Sequence, residues 1–396
     1  MDNFIFISPN FPETYWHFCK ELRENGLRVL GIGDCPYDQL KQELRDSLHE
    51  YYKVENLESY DEVFKAVAFF TYKYGKIQWL ESNNEYWLER DARLRTEFHI
   101  TTGFGETEID AVKHKSAMKA YYKKAGIPTA RYHMVQDLKK AKTFIKKVGY
   151  PVVVKPDNGV GASHTYRLEN DGDLQNFFDT KDDVQYIMEE MVKGVVCTYD
   201  GIIGADGQPL FESGNVTPLS IMDVVNDRMD SIYYIVKELP EDVRKAGLAT
   251  VKAFGVKSRF VHLEFFRLTE DQEGLGKAGD IIGLEVNMRP CGGYTPDMYD
   301  FAYDTDVYKI WADMVAFRSS TKPIEKRQFC AFCGRRDGQG YAMEHDAIME
   351  KYGANIKMQG RIPDALSGAM GNTMYVANFD TEDALWDYYK DLMERV

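Results

Sequence analysis

"IIGLEVNMRPCGG", residues 281–293, is the stretch on which the fold turns. Ile281 to Val286 is an apolar run that predicts a buried β-strand, yet Glu285 breaks it, and Asn287 and Arg289 follow at every second position. Alternate residues of a strand share a face. One face therefore carries an acid, an amide and a guanidinium before the chain turns at Pro290, Cys291, Gly292 and Gly293. Upstream, "FVHLEFFRL" (260–268) predicts a partner strand, joined to the first by the polar, Gly-rich segment 269–280. In the symmetric antiparallel register residue 268 faces 281, and Glu264 faces Glu285. Glu264, Glu285 and Asn287 then converge, with His262 and Arg289 at the margins. Adjacent carboxylates repel without a cation. A few hard oxygens on rigid strands describe a magnesium site with room for phosphate oxygens. The competing reading is an exposed strand face with acids by chance, but polar groups in so apolar a hairpin cost free energy unless satisfied. Arg267, at an odd offset from Glu264, belongs to the opposite face.

A second stretch is "PVVVKPDNGVGASHTYR" (151–167). Lys155 ends a very apolar strand, and Asp157, Asn158, Gly159, Gly161 and Ser163 form a flexible turn. Such a loop folds bare N–H groups over phosphates while a lysine supplies a point charge. An ordinary hairpin with a long glycine turn would look the same. No G-x-x-x-x-G-K-[ST] occurs, so this is not a Walker loop. The third stretch is "YIMEEMVKG" (186–194), a strand ending in acids whose backbone suits an adenine edge. Alone, it is a strand and a turn.

The chain of 396 residues has room for two or three domains sharing a cleft. Its 44% hydrophobic and 28% charged content is that of a globular protein. A net charge of −14 argues against a nucleic-acid partner. No apolar run is long enough for a transmembrane helix, and "MDNFIFISPNF" lacks the basic start of a signal peptide. Six cysteines make no disulfide framework, and a cytoplasmic enzyme is expected. Cys330 and Cys333 form a lone C-x-x-C with His345 nearby; buried thiols on a strand are the simpler reading than zinc. Strands at 3–8, 27–33 and 76–82 with helices at 13–25 and 57–75 predict a doubly wound unit over 1–105. Its "GIGDCP" lacks a glycine of the dinucleotide fingerprint. One basic helix is expected over 110–126, others at 137–148 and 240–254, and a compact α+β tail at 328–396.

Taken in order, an early lysine, V-V-V-K-P with its Gly/Ser loop, E-E, H-x-E and E-x-N-x-R-P resemble the ATP-grasp superfamily, above all its carboxylate–amine ligase and carbamoyl-phosphate-synthetase-like branches. Each part is weak singly, and the set is specific. The resemblance covers most of the chain. It implies an α/β and α+β multi-domain architecture. Residues 1–105 would be a Rossmann-like pre-ATP-grasp domain, 106–327 the grasp with a lid at about 125–190, and 328–396 a C-terminal subdomain. It implies that Lys115, with Lys113 as a competitor, and Lys155 contact the nucleotide. Gly159, Gly161 and Ser163 would form the phosphate lid, and Glu189, Glu190, Met191 and Val192 the adenine hinge. Glu264, Glu285 and Asn287 would hold Mg²⁺ or Mn²⁺. Arg289 and Lys155 would be catalytic, and Cys291, Gly292 and Gly293 would line the substrate carboxylate site.

The resemblance has one departure. The acid that holds ribose in many members falls on Val196, so either another residue such as Asp200 takes that role or nucleotide affinity is reduced. The implied activity is an ATP-dependent ligase that makes an acyl phosphate from a small-molecule carboxylate and passes the acyl group to an amine. Its rivals are an ATP-binding module with reduced catalysis and a small-molecule kinase of the same fold. Asn215 and Arg267 are further pocket candidates, with a turn residue as the equal reading of Asn215; His262 or His164 could assist amine deprotonation, with a packed strand residue as the equal reading of His262. Arg335 and Arg336 in "GRRDGQGY" (334–341) would face phosphate or water. Homodimers are common in the superfamily, but no interface can be read here, nor can the acid and amine.

Overall fold

The computed structural model describes residues 1–159, 164–220, 224, 228–320 and 322–396. Strands β1 (Asn3–Ile7), β2 (Arg28–Gly33), β3 (Glu50–Lys53) and β4 (Trp79–Glu81) form a parallel sheet in the order β3-β2-β1-β4. All five residues of β1, "NFIFI", are buried, as a parallel strand covered on both faces requires. The chain leaves β1 for β2 on one side and returns to β4 on the other. The segments after β1 and β4, which begin at Ser8 and Ser82, thus bracket the crevice where open α/β sheets take ligands. The sequence reading did not anticipate β3, whose residues are only partly buried.

A second, antiparallel sheet runs β5-β8-β6-β7, with β5 at Tyr132–Met134, β6 at Val152–Pro156, β7 at Tyr166–Leu168 and β8 at Tyr186–Glu190. Helices Leu138–Val148 and Asp171–Thr180 cover it, packing Ala141, Ile145, Leu174 and Phe177 on Val152 and Val154.

The remaining strands share one large sheet. They are β9 (Gly194–Ile203), β10 (Pro209–Ser213), β11 (Asn215–Thr217), β12 (Ser231–Ile235), β13 (Arg259–Leu268), β14 (Ile281–Asn287), β15 (Phe329–Arg335), β16 (Ile356–Arg361) and β17 (Thr373–Phe379). Their order is β14-β13-β9-β11-β12-β15-β17-β16, with β10 added beside β9. Residues 328–396 therefore extend this sheet through the β12–β15 pairing. Six of the seven residues of "FCAFCGR" are buried, so β15 is covered on both faces. Cys330 and Cys333 are fully buried free thiols there, and His345 hydrogen-bonds the Tyr375 hydroxyl at 2.9 Å. Among the described residues no three His, Cys, Asp or Glu side chains form a metal cage, and no helix is long and apolar enough to cross a membrane.

The basic helix expected over 110–126 is two helices, Asp110–Lys113 and Lys115–Ala125, broken at an extended His114. The break has a cause in the glycine loop. Asp157 accepts from Ser116 N at 2.8 Å and Ser116 Oγ at 2.9 Å, while its carbonyl takes Lys115 N at 2.9 Å. A carboxylate capping a helix start satisfies orphan donors and complements the helix dipole. Gly126, at φ +75°, ends the second helix as expected.

Candidate active site

The floor of the site is the β13–β14 hairpin. Glu264 faces Glu285, and His262 faces Asn287. Beyond the acids the pairing shifts by one, so Arg267, not residue 268, faces Ile281. The cause is a bulge: Phe265 pairs with Gly283, which leaves Leu284 as an extra residue on β14. Tyr122 fixes the bulge, donating its hydroxyl to Glu285 O at 2.9 Å, and its ring lies where a Cβ on Gly283 would come within 2.7 Å. Only glycine permits that approach.

Above this floor lies a cavity of ≈ 290 Å³. Lys115, Lys119, Lys155, Glu85, Glu189, Glu264, Glu285, Asn287 and Arg289 all line it. Lys115 Nζ lies 3.1 Å from Glu285 and 3.3 Å from Gly159 O. Lys113 turns instead to Glu85, 3.8 Å away, so Lys115 is the lysine of that pair that faces the cavity. Glu189 sits between Lys155, at 2.8 Å, and Lys119, in close contact. Burial pushes the Glu189 carboxyl up, but the two ammonium groups outweigh it and hold it at about 2. Asn287 Nδ2 donates to Glu264 at 3.1 Å, and Asn287 Oδ1 accepts from Arg289 at 3.3 Å. Arg289 also clasps Glu85. Burial, with Glu264 and Glu85 close by, pushes the Glu285 carboxyl above its usual range against the pull of Lys115. A carboxylate pair so placed invites a cation.

Several expectations need correcting. The Glu190 side chain turns away from the cavity charges to Arg131, accepting from its N at 2.6 Å and Nε at 2.9 Å; only its backbone is free to serve a hinge. Successive strand residues point to opposite faces, and Glu189 takes the inner one. Asp200 is no ribose ligand. It is buried on β9 opposite His262 and bonds His262 Nδ1 at 2.6 Å. His262 Nε2 lies 3.2 Å from Glu264, so both ring nitrogens face carboxylates and neither is free to act as a base. Asn215 belongs to this buried network, 3.4 Å from Asp200 and 3.9 Å from Cys291 Sγ. Arg267 lies on the far face, paired with Asp242 at 2.6 Å. His164 is exposed at a turn. Arg335 and Arg336 face neither phosphate nor water: they are buried donors to the carbonyls of Leu392, Met343, Met229 and Gly368. Gly161 and Ser163 lie outside the described residues. Met191, Val192 and Val196 line the cavity. Cys291 is half-buried, Gly292 is exposed, and Gly293, at φ +64°, has no room for a Cβ beside Met370.

Two residues of the site escaped the sequence reading. Lys119 follows Lys115 by four positions, hence on the same helix face, and that spacing was the available signal. Glu85 comes from the segment after β4, where no local pattern announces it.

Comparison with known proteins agrees with this architecture. Residues 113–203 match the family model of the phosphoribosylglycinamide synthetase ATP-grasp (A) domain. The L-arginine-specific L-amino acid ligase of Bacillus subtilis is 23% identical over 341 residues, which is 81% of this chain and 78% of that protein. The L-amino acid ligase from Bacillus licheniformis superposes with a TM-score of 0.71 at 14% identity, covering 98% of this chain and 96% of its own. The biotin carboxylase domain of the Hydrogenobacter thermophilus 2-oxoglutarate carboxylase, solved with ADP, MgADP and bicarbonate, gives 0.71 at 15% identity, covering 99% and 89%. The structure is an α/β and α+β multi-domain assembly with the ATP-grasp fold. In sequence, the likeness to an ATP-grasp domain lies in residues 113–203.

Proposed function

We propose that this protein is an ATP-dependent carboxylate–amine ligase. The observation that carries the reading is the convergence of three lysines and Arg289 on two facing carboxylates and an amide in one cavity. In this reading the glycine loop, Lys115 and Lys155 hold the phosphates, and the turn after β8 holds the base. Glu264, Glu285 and Asn287 offer the few hard oxygens that would hold Mg²⁺. The ion they would hold would supply positive charge to neutralise the phosphates. A substrate carboxylate oxygen attacks the γ-phosphorus, and ADP leaves. An amine then attacks the acyl carbon and phosphate leaves. Lys155 and Arg289 stabilise the charge on the transferred phosphoryl group. Burial pushes the Lys155 amine down, but Glu189 and Glu285 hold it above its usual value, so it stays cationic. Glu85 orients Arg289. Residues 1–105 would supply the substrate side of the crevice, 106–327 the nucleotide side, and 328–396 the outer flank of the sheet.

The B. subtilis relative and the B. licheniformis structure make an amino acid the first carboxylate to try. The test is phosphate release from Mg·ATP against pooled amino acids and amines, beside Glu285→Ala. Release that needs both a carboxylate and an amine, and that the variant abolishes, is expected. A stable phosphorylated product without amide would point to a kinase, and turnover undiminished in the variant would sink the metal assignment.

A further inference from the structure

In the sequence, 269–280 reads as a link between two strands. In the structure it is a folded clasp. Gln272 N donates to Gly276 O at 2.9 Å, and Leu275 N returns to Gln272 O at 3.0 Å. Ala278 N donates to Asp271 at 2.9 Å, Lys277 N to Asp280 at 2.8 Å, and Gly279 N closes on Leu268 O at 2.8 Å. The clasp grips the four residues, Glu190 to Lys193, that lead from β8 to β9. Gln272 Nε2 donates to Met191 O at 2.9 Å, and Lys193 N donates to Gln272 Oε1 at 3.2 Å. Thr269 N and Oγ1 both donate to Lys193 O, at 3.0 and 3.1 Å. Leu275 packs on the apolar floor made by Ala130, Val192, Leu268 and Ile282.

These bonds leave a particular pair of backbone groups facing the cavity. The β5–β8 register, Tyr132 opposite Glu189, would bring the Arg131 N–H to the Glu190 carbonyl. That N–H goes to the Glu190 carboxylate instead, at 2.6 Å, which frees the carbonyl. The Val192 N–H takes no partner among the described residues. The turn thus offers an acceptor at 190 and a donor at 192 above an apolar floor. Adenine presents an amino donor beside a ring acceptor; guanine reverses both.

We infer that Gln272 is a positioning residue: its amide, within the 269–280 clasp, holds the Glu190–Lys193 turn in the shape that reads an adenine base. The inference rests on the ATP-dependent reading above. Gln272 bonds the turn from outside, through groups on either side of Val192. Its contribution is pre-organisation, because a turn already fixed loses less entropy when the base docks.

The test compares wild type with Gln272→Ala and Gln272→Glu. Glutamate fills the same space but sets an oxygen against Met191 O. Measured are Kd and KM for Mg·ATP and Mg·GTP, kcat, Tm, and amide hydrogen exchange over 188–194. Both variants are expected to raise Kd and KM for ATP about tenfold and to keep kcat within about twofold. The preference for ATP over GTP should narrow, and exchange in the turn should quicken. Glu270→Gln removes only the exposed ion pair with Lys193, at 2.6 Å, and should change none of these. If wild type binds ATP and both Gln272 variants bind it equally well, the positioning role is overturned while the ligase reading stands. If kcat and Tm fall together with affinity, Gln272 is merely structural and the inference is again overturned. If wild type binds no ATP, the ligase reading and this inference fall together.

Discussion

Two knots of buried charge lie close together in this protein and do opposite work. In the cavity, Lys115, Lys119, Lys155 and Arg289 meet Glu189, Glu264 and Glu285. Behind it, Glu81 is held between Arg95, at 2.7 Å, and Arg259, in close contact. In this second knot Arg95 also donates to Leu80 O and Phe104 O, both at 2.9 Å, and Arg259 to Met288 O at 2.8 Å. All three side chains are at most 4% exposed. None of the three lines the cavity. The cavity cluster is built differently. Glu264 and Glu285 keep 26% and 17% of their side chains exposed where they face each other across the hairpin. The difference is one of access: the second knot is closed off, and the cavity acids can still be reached.

The largest effects should divide along that line. Glu285→Ala is expected to lower ATP-dependent phosphate release by at least about 100-fold. Its Tm should hold or rise, because the folded protein pushes that carboxyl upward and so disfavours its charged form. Glu81→Ala should do the reverse. It strands two buried guanidinium groups face to face, which costs about 3–5 kcal/mol and should appear as an early urea transition. Equal losses of stability in the two variants would erase the distinction.

The distinction also marks what could be read in the sequence. The hairpin acids were legible because a strand's period of two fixes a face, and the bulge at Leu284 kept the acids in register while shifting the strand beyond them. Lys155 was legible from an apolar strand running into a glycine turn. The Glu81–Arg95–Arg259 knot was not, since its members lie in separate elements and meet only through packing. The same holds for Glu85. The break at His114 was hidden because Asp157, more than 40 residues on, supplies the cap. The pairing that joins the 328–396 tail to the large sheet, β12 with β15, leaves no local trace in the sequence.

Within the cavity the comparison sharpens at Lys119. Its amine lies against Glu189, and burial holds it below its usual pKa despite that partner. Lys119→Met should leave Glu189 with Lys155 alone and draw that lysine away from the phosphates. The KM for ATP is then expected to rise about tenfold with the protein still folded, as initial rates and a thermal melt would report. An unchanged KM would move Lys119 from the functional cluster to the structural one.

A third kind of buried charge tests the rule from the other side. Asp297 stands in the first turn of helix Thr295–Tyr303, just past the Arg289 loop, and its Oδ2 has no hydrogen-bond partner. Burial, against the favourable pull of the nearby Tyr308 and Thr14 hydroxyls, pushes its carboxyl up to about 6. The sign follows from linkage. An acid whose folded pKa is raised binds more protons folded than unfolded, so stability falls as pH rises from about 4 to about 6 and stays lower above that. Asp297→Asn removes the penalty. It should raise Tm at pH 7.5, by at most about 3 kcal/mol in stability, and leave it unchanged near pH 4. Equal melting of variant and wild type at pH 7.5 would mean that the carboxylate already has a compensating partner, and that Asp297 sorts with Glu81 instead of with the acids of the cavity.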